Sequence, residues 1–189
     1  MDWKIIFVTG GSRSGKSSFV IREATRCSGR KAFIATAEAL DEEMRDRIRN
    51  HRLQRGDEWE TCEEPVNLAA TLSRLRDSHD VIVIDCLTIW LSNLLMREQL
   101  HDADRQTTEE SMTAFIEVLT ELKDGPRPTS GGRRLYMVSN EVGMGIVPEN
   151  RLARQFRDLA GTLNQKAAAA ADQVYLVTAG IPVAIKSQS

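Results

Sequence analysis

Short apolar runs rich in β-branched residues alternate along the chain with stretches whose apolar positions recur at helical spacing. Ile5-Ile6-Phe7-Val8 is the first such run, and it stops at Thr9-Gly10-Gly11. A continuous apolar run of that length reads as a strand buried on both faces. Residues 17–26 follow with helical composition, and Ala32-Phe33-Ile34-Ala35 predicts a second strand. Residues 41–54 predict a helix with Asp41-Glu42-Glu43 in its first turn, where acids favour the helix dipole. Gly56-Asp57 breaks it, and Pro65 opens a further helical stretch over 65–78. Val81-Ile82-Val83-Ile84-Asp85 is the clearest strand. Helices are expected over 87–96, 113–123 and 151–171, and strands over 135–138, 174–177 and 181–185. The polar stretch 101–108 and the Gly- and Pro-punctuated stretch 125–132 read as surface loops.

This alternation predicts a mostly parallel sheet with helices on both faces. The last two strands are separated by only a few residues, so the final one is expected as an antiparallel edge strand, where Pro182 is tolerated. Ligands of such sheets bind beyond the carboxyl ends of the strands. No internal repeat and no linker divides the chain, so residues 1–189 are expected to form one domain.

Composition narrows the function. Of 189 residues, 41% are hydrophobic and 28% charged, which suits a soluble folded chain. Lys and Arg number 25 against 27 Asp and Glu, so the basic excess of a general nucleic-acid binder is missing. Cys27, Cys62 and Cys86 are odd in number and widely spaced, which argues against a disulfide framework or a Cys-x-x-Cys zinc site. The chain opens without a signal-peptide pattern and holds no apolar run near the ~18–20 residues that cross a bilayer, so a cytoplasmic location is expected.

Gly10-Gly11-Ser12-Arg13-Ser14-Gly15-Lys16-Ser17 matches G-x-x-x-x-G-K-[ST] between a predicted strand and a predicted helix. Glycines let successive N–H groups face one point, and the helix N-terminus adds partial positive charge there. Lys16 can reach the β- and γ-phosphates, and Ser17 can offer a hydroxyl to Mg²⁺. Asp85, at the end of a hydrophobic strand, stands where a second metal-side carboxylate is expected. Its other reading is a cap on the helix that follows. The fold these motifs imply is a P-loop NTPase domain of the RecA-like kind.

Of His51, His79 and His101, the last two lie in polar breaks and read as solvated. On the predicted helix, Leu40, Met44, Ile48 and His51 fall within about 80° of one another, so His51 points with the apolar side. It reads either as a half-buried, hydrogen-bonded histidine or as a nucleophile whose neutral imidazole attacks phosphorus to form a phosphoramidate. Arg47, Arg52 and Arg55 lie close by in sequence and read either as phosphate clamps or as an exposed face paired with acids.

These residues resemble those of the bifunctional adenosylcobinamide kinase / adenosylcobinamide-phosphate guanylyltransferase family of cobalamin biosynthesis. The likeness runs through the phosphate loop, Ile34-Ala35-Thr36-Ala37, Asp41-Glu42-Glu43-Met44, Arg47-Ile48, His51-Arg52 and Trp59-Glu60-Thr61. Its most diagnostic piece is the stretch from Ser139-Asn140-Glu141-Val142-Gly143 to Pro148-Glu149-Asn150-Arg151, and Gly180-Ile181-Pro182-Val183 fits as well. The resemblance implies phosphorylation of adenosylcobinamide by ATP or GTP. It further implies transfer of GMP from GTP, through a guanylyl-histidine, to adenosylcobinamide phosphate, with loss of pyrophosphate.

The guanylylated histidine of the family falls on His51. Its nucleotide contacts fall on Gly10 to Ser17, on Ala35, Thr36 and Ala37, on Arg52, Leu53, Gln54 and Arg55, and on Glu63 and Asp85; Ser17 and Asp85 would be the Mg²⁺ side. Glu63 has the plainer reading of a solvated acid beside Glu64. The family also implies a homotrimer. Asn50 precedes His51 where some relatives carry a second histidine, which leaves His51 as the candidate nucleophile. Asn140, Glu141 and the Gly143–Gly145 loop read either as contacts to the corrinoid or a neighbouring subunit, or as a structural turn. The competing function is a P-loop small-molecule kinase without nucleotidyl transfer, in which His51 is structural.

Overall fold

The computed structural model describes residues 3–38, 58–100, 107–124 and 132–187. The apolar runs form strands β1 (Trp3–Thr9), β2 (Lys31–Ala35), β4 (Val81–Asp85), β5 (Arg133–Val138), β6 (Gln173–Thr178) and β7 (Ile181–Ser187). A further strand, β3 (Trp59–Glu63), lies between β2 and the next helix. The seven strands make one sheet in the order β3-β2-β4-β5-β1-β6-β7. Every pairing is parallel except β6–β7, so the antiparallel edge strand is present as expected.

Helices α1 (Lys16–Thr25), α2 (Leu68–Leu75), α3 (Leu87–Gln99), α4 (Thr108–Asp124) and α5 (Arg151–Ala170) cover the two faces. The two-residue period of a strand divides β1 between two cores. Trp3, Ile5 and Phe7 join one cluster with Leu72, Trp90, Leu91, Phe115 and Leu163 from α2 to α5. Ile6 and Val8 join the other with Phe19, Val20 and Ala24 of α1. Trp90 and Phe115, both fully buried, meet as a tilted ring pair with centroids 5.3 Å apart and tie α3 to α4.

Three expectations change. Strand β3 is Trp-Glu-Thr-Cys-Glu, a polar edge strand with no apolar run to announce it. Its anchor is Trp59, buried against Phe33 at 6.4 Å in an edge-on contact. Helix α4 starts at Thr108, five residues before the predicted start, because Thr107 and Glu110 form a reciprocal cap. Thr107 N donates to Glu110 Oε2 at 2.9 Å, and Glu110 N donates to Thr107 Oγ1 at 3.2 Å. His79 is buried, not solvated: its Nε2 lies 3.1 Å from Glu60 Oε2 and its Nδ1 3.0 Å from Ser78 Oγ. The predicted helix over 41–54, with His51 and Arg52 to Arg55, lies outside the described residues, as do His101 and the loop 125–131.

Phe115→Ala is expected to cost about 3–5 kcal/mol, since a buried ring is removed from between α3 and α4. Urea unfolding measures that loss, and the near-ultraviolet signal of Trp90 should change with it.

Candidate nucleotide site

Register places the site. Ala35 of β2 pairs with Glu63 of β3 and with Asp85 of β4, Asp85 pairs with Val138 of β5, and Val138 pairs with Val8 of β1. A row across the sheet therefore ends Glu63, Ala35, Asp85, Val138, Val8 at one carboxyl edge. The phosphate loop begins two residues beyond Val8. The expected residues Gly10 to Ser17, Ala35 to Ala37, Glu63 and Asp85 are thus gathered at that edge.

The loop's shape depends on glycine at two positions. Gly10 has φ +148°, and a Cβ there would stand 2.2 Å from the Val177 carbonyl oxygen of β6. Gly15 has φ +99° and leads into α1, where a Cβ would meet Gly180 Cα at 3.2 Å. The turn between β6 and β7 closes on the loop from the same side, with Gly180 N donating to Ser14 O at 2.8 Å.

Lys16 is buried and folded back onto its own loop. Its Nζ donates to Gly10 O at 2.9 Å and to Gly11 O at 2.7 Å, and lies 3.5 Å from Ser14 Oγ. Burial lowers its pKa below the usual lysine value, against the opposing pull of Cys86 and Asp85. The side chain is thus a partly desolvated ammonium, held on carbonyls it can exchange for phosphate oxygens.

Thr36, expected as a nucleotide contact, turns its side chain inward. It is fully buried, and its Oγ1 both accepts from Cys86 N and donates to Cys86 O, each at 2.8 Å. Its N–H donates to Asp85 O at 3.1 Å, and its carbonyl accepts from Asn93 Nδ2 at 2.8 Å. Thr36 therefore clamps the backbone that follows Asp85, from the Asp85 carbonyl through Cys86. Asp85 is not the N-cap of α3, because that position is held by Cys86. Of the neighbouring acids, Glu64 is structural: Oε1 accepts from Val66 N at 3.0 Å and Asn67 N at 2.7 Å, and Oε2 from Thr71 Oγ1 at 3.2 Å. Glu63, one residue earlier, is exposed at the strand end.

The stretch after β5 crosses beside the loop. Ser139 N donates to Val8 O at 3.0 Å and Glu141 N to Gly10 O at 2.9 Å. Asn140 sends Nδ2 to Thr88 Oγ1 at 3.1 Å, and Glu141 Oε1 accepts from Gly143 N at 2.8 Å. Asn140 is thus tied into the fold, while Met144 and Ile146 beyond it are exposed. No group of three or more potential metal-ligating His, Cys, Asp or Glu residues occurs among the described residues.

The comparisons with known proteins agree on the family. The family model for cobinamide kinase / cobinamide phosphate guanyltransferase matches residues 6–185. The chain belongs to that family. It is 39% identical to the bifunctional adenosylcobalamin biosynthesis protein CobP of Pseudomonas aeruginosa, over 96% of each chain. It is 40% identical to the bifunctional adenosylcobalamin biosynthesis protein CobU of Escherichia coli, over 96% of this chain and 99% of that one. CobU of Salmonella typhimurium matches at 40% with the same coverage. Among solved structures, the fold resembles a type III secretion ATPase with a TM-score of 0.52 at 12% identity, over 93% of this chain and 51% of that one. EscN of the same kind of secretion system, in complex with its stalk EscO, gives the same score over 42% of its chain. At that identity the likeness concerns the fold alone, and with the parallel sheet it makes this a P-loop NTPase α/β fold.

Two predictions follow from this edge. Thr36→Val keeps the shape but leaves Cys86 N and O without their partner, so stability should fall by about 1–3 kcal/mol, as measured by urea unfolding. Burial beside Asp85 pushes the Cys86 thiol up to about 11, so it stays neutral and closed to reagents near pH 8. A thiol titration of the native protein should therefore count Cys27 and Cys62, which are partly exposed, and reach Cys86 only on unfolding.

Proposed function

We propose that this protein is a bifunctional, cytoplasmic enzyme of cobalamin biosynthesis working as a single domain over residues 1–189. It phosphorylates the hydroxyl of the aminopropanol arm of adenosylcobinamide with ATP or GTP, then transfers GMP from GTP to adenosylcobinamide phosphate, giving adenosylcobinamide-GDP and pyrophosphate. The observation that carries the reading is the family match over residues 6–185, in a chain whose phosphate loop holds buried Lys16 beside Asp85.

Both reactions ask the same of the described residues. The loop's N–H groups and the start of α1 hold the phosphates, and Lys16 leaves the Gly10 and Gly11 carbonyls to meet them. Ala35, Thr36, Ala37 and Glu63 close the neighbouring side, with Arg52, Leu53, Gln54 and Arg55 as further nucleotide contacts from the segment that lies outside the described residues. Attack by the substrate hydroxyl on the γ-phosphorus releases the nucleoside diphosphate. In the second reaction His51 attacks the α-phosphorus, the bond to the β-phosphate oxygen breaks, and pyrophosphate leaves. An oxygen of adenosylcobinamide phosphate then attacks the phosphoramidate, and the P–N bond breaks to restore the imidazole.

A hydroxyl at Ser17 and a carboxylate at Asp85 form a sparse, oxygen-only donor set, which suits Mg²⁺ completed by phosphate oxygens and water. When bound there, Mg²⁺ offsets the charge on the triphosphate. Self-association, a homotrimer in this reading, is supported by β7, an edge strand whose Ile181, Val183 and Ile185 are 65%, 50% and 60% exposed. Such an edge is normally blunted or covered. The charge balance gives no reason to expect a nucleic-acid partner, and no helix among the described residues is long and apolar enough to cross a membrane.

Intact mass after incubation with GTP and Mg²⁺, beside His51→Ala, tests the transfer. The wild type should gain one acid-labile GMP and the variant none. No gain in a wild type that binds GTP would leave a P-loop small-molecule kinase in its place.

A further inference from the structure

Asn164 sits in the middle of α5 with 8% of its surface exposed. An asparagine is a poor choice for a helix interior, because its amide competes for backbone partners and its burial demands that both halves be paired. Both halves are paired, and with consecutive residues of one segment. Ser139 Oγ donates to Asn164 Oδ1 at 2.6 Å, and Asn164 Nδ2 donates to Asn140 O at 3.1 Å. The amide orientation is fixed by that carbonyl, since the reverse would set oxygen against oxygen.

The segment so held is the exit of β5. Thr88 Oγ1, at the start of α3, pins it a second time by accepting from Asn140 N at 3.3 Å and Asn140 Nδ2 at 3.1 Å. The next residue reaches the phosphate loop, where Glu141 N donates to Gly10 O. Gly10 O is shared, because Lys16 Nζ donates to it too. When Lys16 turns to phosphate, Glu141 N is the donor left on that carbonyl. Its position then decides whether the Gly10 peptide stays turned away from the anion.

We propose that Asn164 is a positioning residue for the phosphate loop, acting through Ser139, Asn140 and Glu141 on the Gly10 carbonyl. The inference rests on the reading of Gly10 to Ser17 as a triphosphate site. Asn164→Asp keeps the shape and still accepts from Ser139, but sets a carboxylate oxygen against the Asn140 carbonyl. Ser139→Ala removes the other bond without touching α5. Phe115→Ala serves as a control that loses stability from α4, which makes no hydrogen bond to the loop among the described residues.

The test is the dissociation constant of mant-GTP with Mg²⁺ for the full chain, set beside the Tm of each variant. Asn164→Asp should bind about tenfold more weakly, Ser139→Ala about threefold, and Phe115→Ala within about twofold of wild type despite its lower Tm. Variants that lose Tm yet bind mant-GTP like the wild type would make Asn164 a packing residue and overturn the inference. If Asn164→Asp does not fold, Ser139→Ala decides by the same comparison. A folded wild type that fails to bind mant-GTP would overturn the nucleotide reading itself, and this inference with it.

Discussion

A phosphate loop is useful only while its carbonyls are turned away from the anion and satisfied elsewhere, and that constraint organises this molecule. The Gly10 carbonyl takes Lys16 Nζ and Glu141 N, the Gly11 carbonyl takes Lys16 Nζ and Ser14 N, and the Ser14 carbonyl takes Gly180 N. The donors come from α1, from the exit of β5, from the loop itself and from the β6–β7 turn. They can meet one loop only if β1, β5 and β6 end level with one another. The parallel register that levels them is set by apolar alternation far below, in the two cores.

The cost of such a site is buried polarity, and its placement is uneven. Lys16, Thr36, Thr88, Ser139 and Asn164 are buried at the carboxyl edge, each with a named partner, while the strand interiors are apolar. In a drier, lower-dielectric setting these bonds hold more firmly than in water, and a charge placed there acts more strongly. Lys16 gains from this directly, because the burial that lowers its pKa also removes the water that would screen it from phosphate. Cys86 shows the same environment from the other side: its thiol is pushed up and adds no negative charge beside Asp85.

What the sequence made legible is what local pattern controls. Val81 to Asp85 reads as a strand because five consecutive residues agree, and Gly10 to Ser17 because each residue type has a backbone or phosphate task. Strand β3 escaped because an edge strand paired on one side needs no apolar run, only Trp59. The earlier start of α4 was legible in principle, in Thr107 and Glu110 at capping-box spacing. The inward turn of Thr36 was not, since the partner that decides it, Cys86, lies 50 residues away. Nor was the role of Asn164, whose two bonds join it to residues 25 and 24 positions earlier.

The fold is shared with secretion ATPases at 12% identity, so the sheet and loop do not select the chemistry. What a guanylyl-enzyme needs beyond a bound triphosphate is a nucleophile on the carboxyl side of the sheet. His79 cannot serve, because it is buried before the start of β4, at the amino edge, with its ring locked on Glu60. Helix α3 begins beside Asp85 and stays near that edge, where Asn93 Nδ2 donates to Thr36 O at 2.8 Å and to Pro65 O at 3.2 Å, and Arg97 pairs with Glu38. The segment with His51 departs after Ala35 to Ala37, beside Asp85 and Glu63, and rejoins the sheet at Trp59. The proposed nucleophile, His51, thus belongs to a segment that leaves the sheet on this nucleotide side.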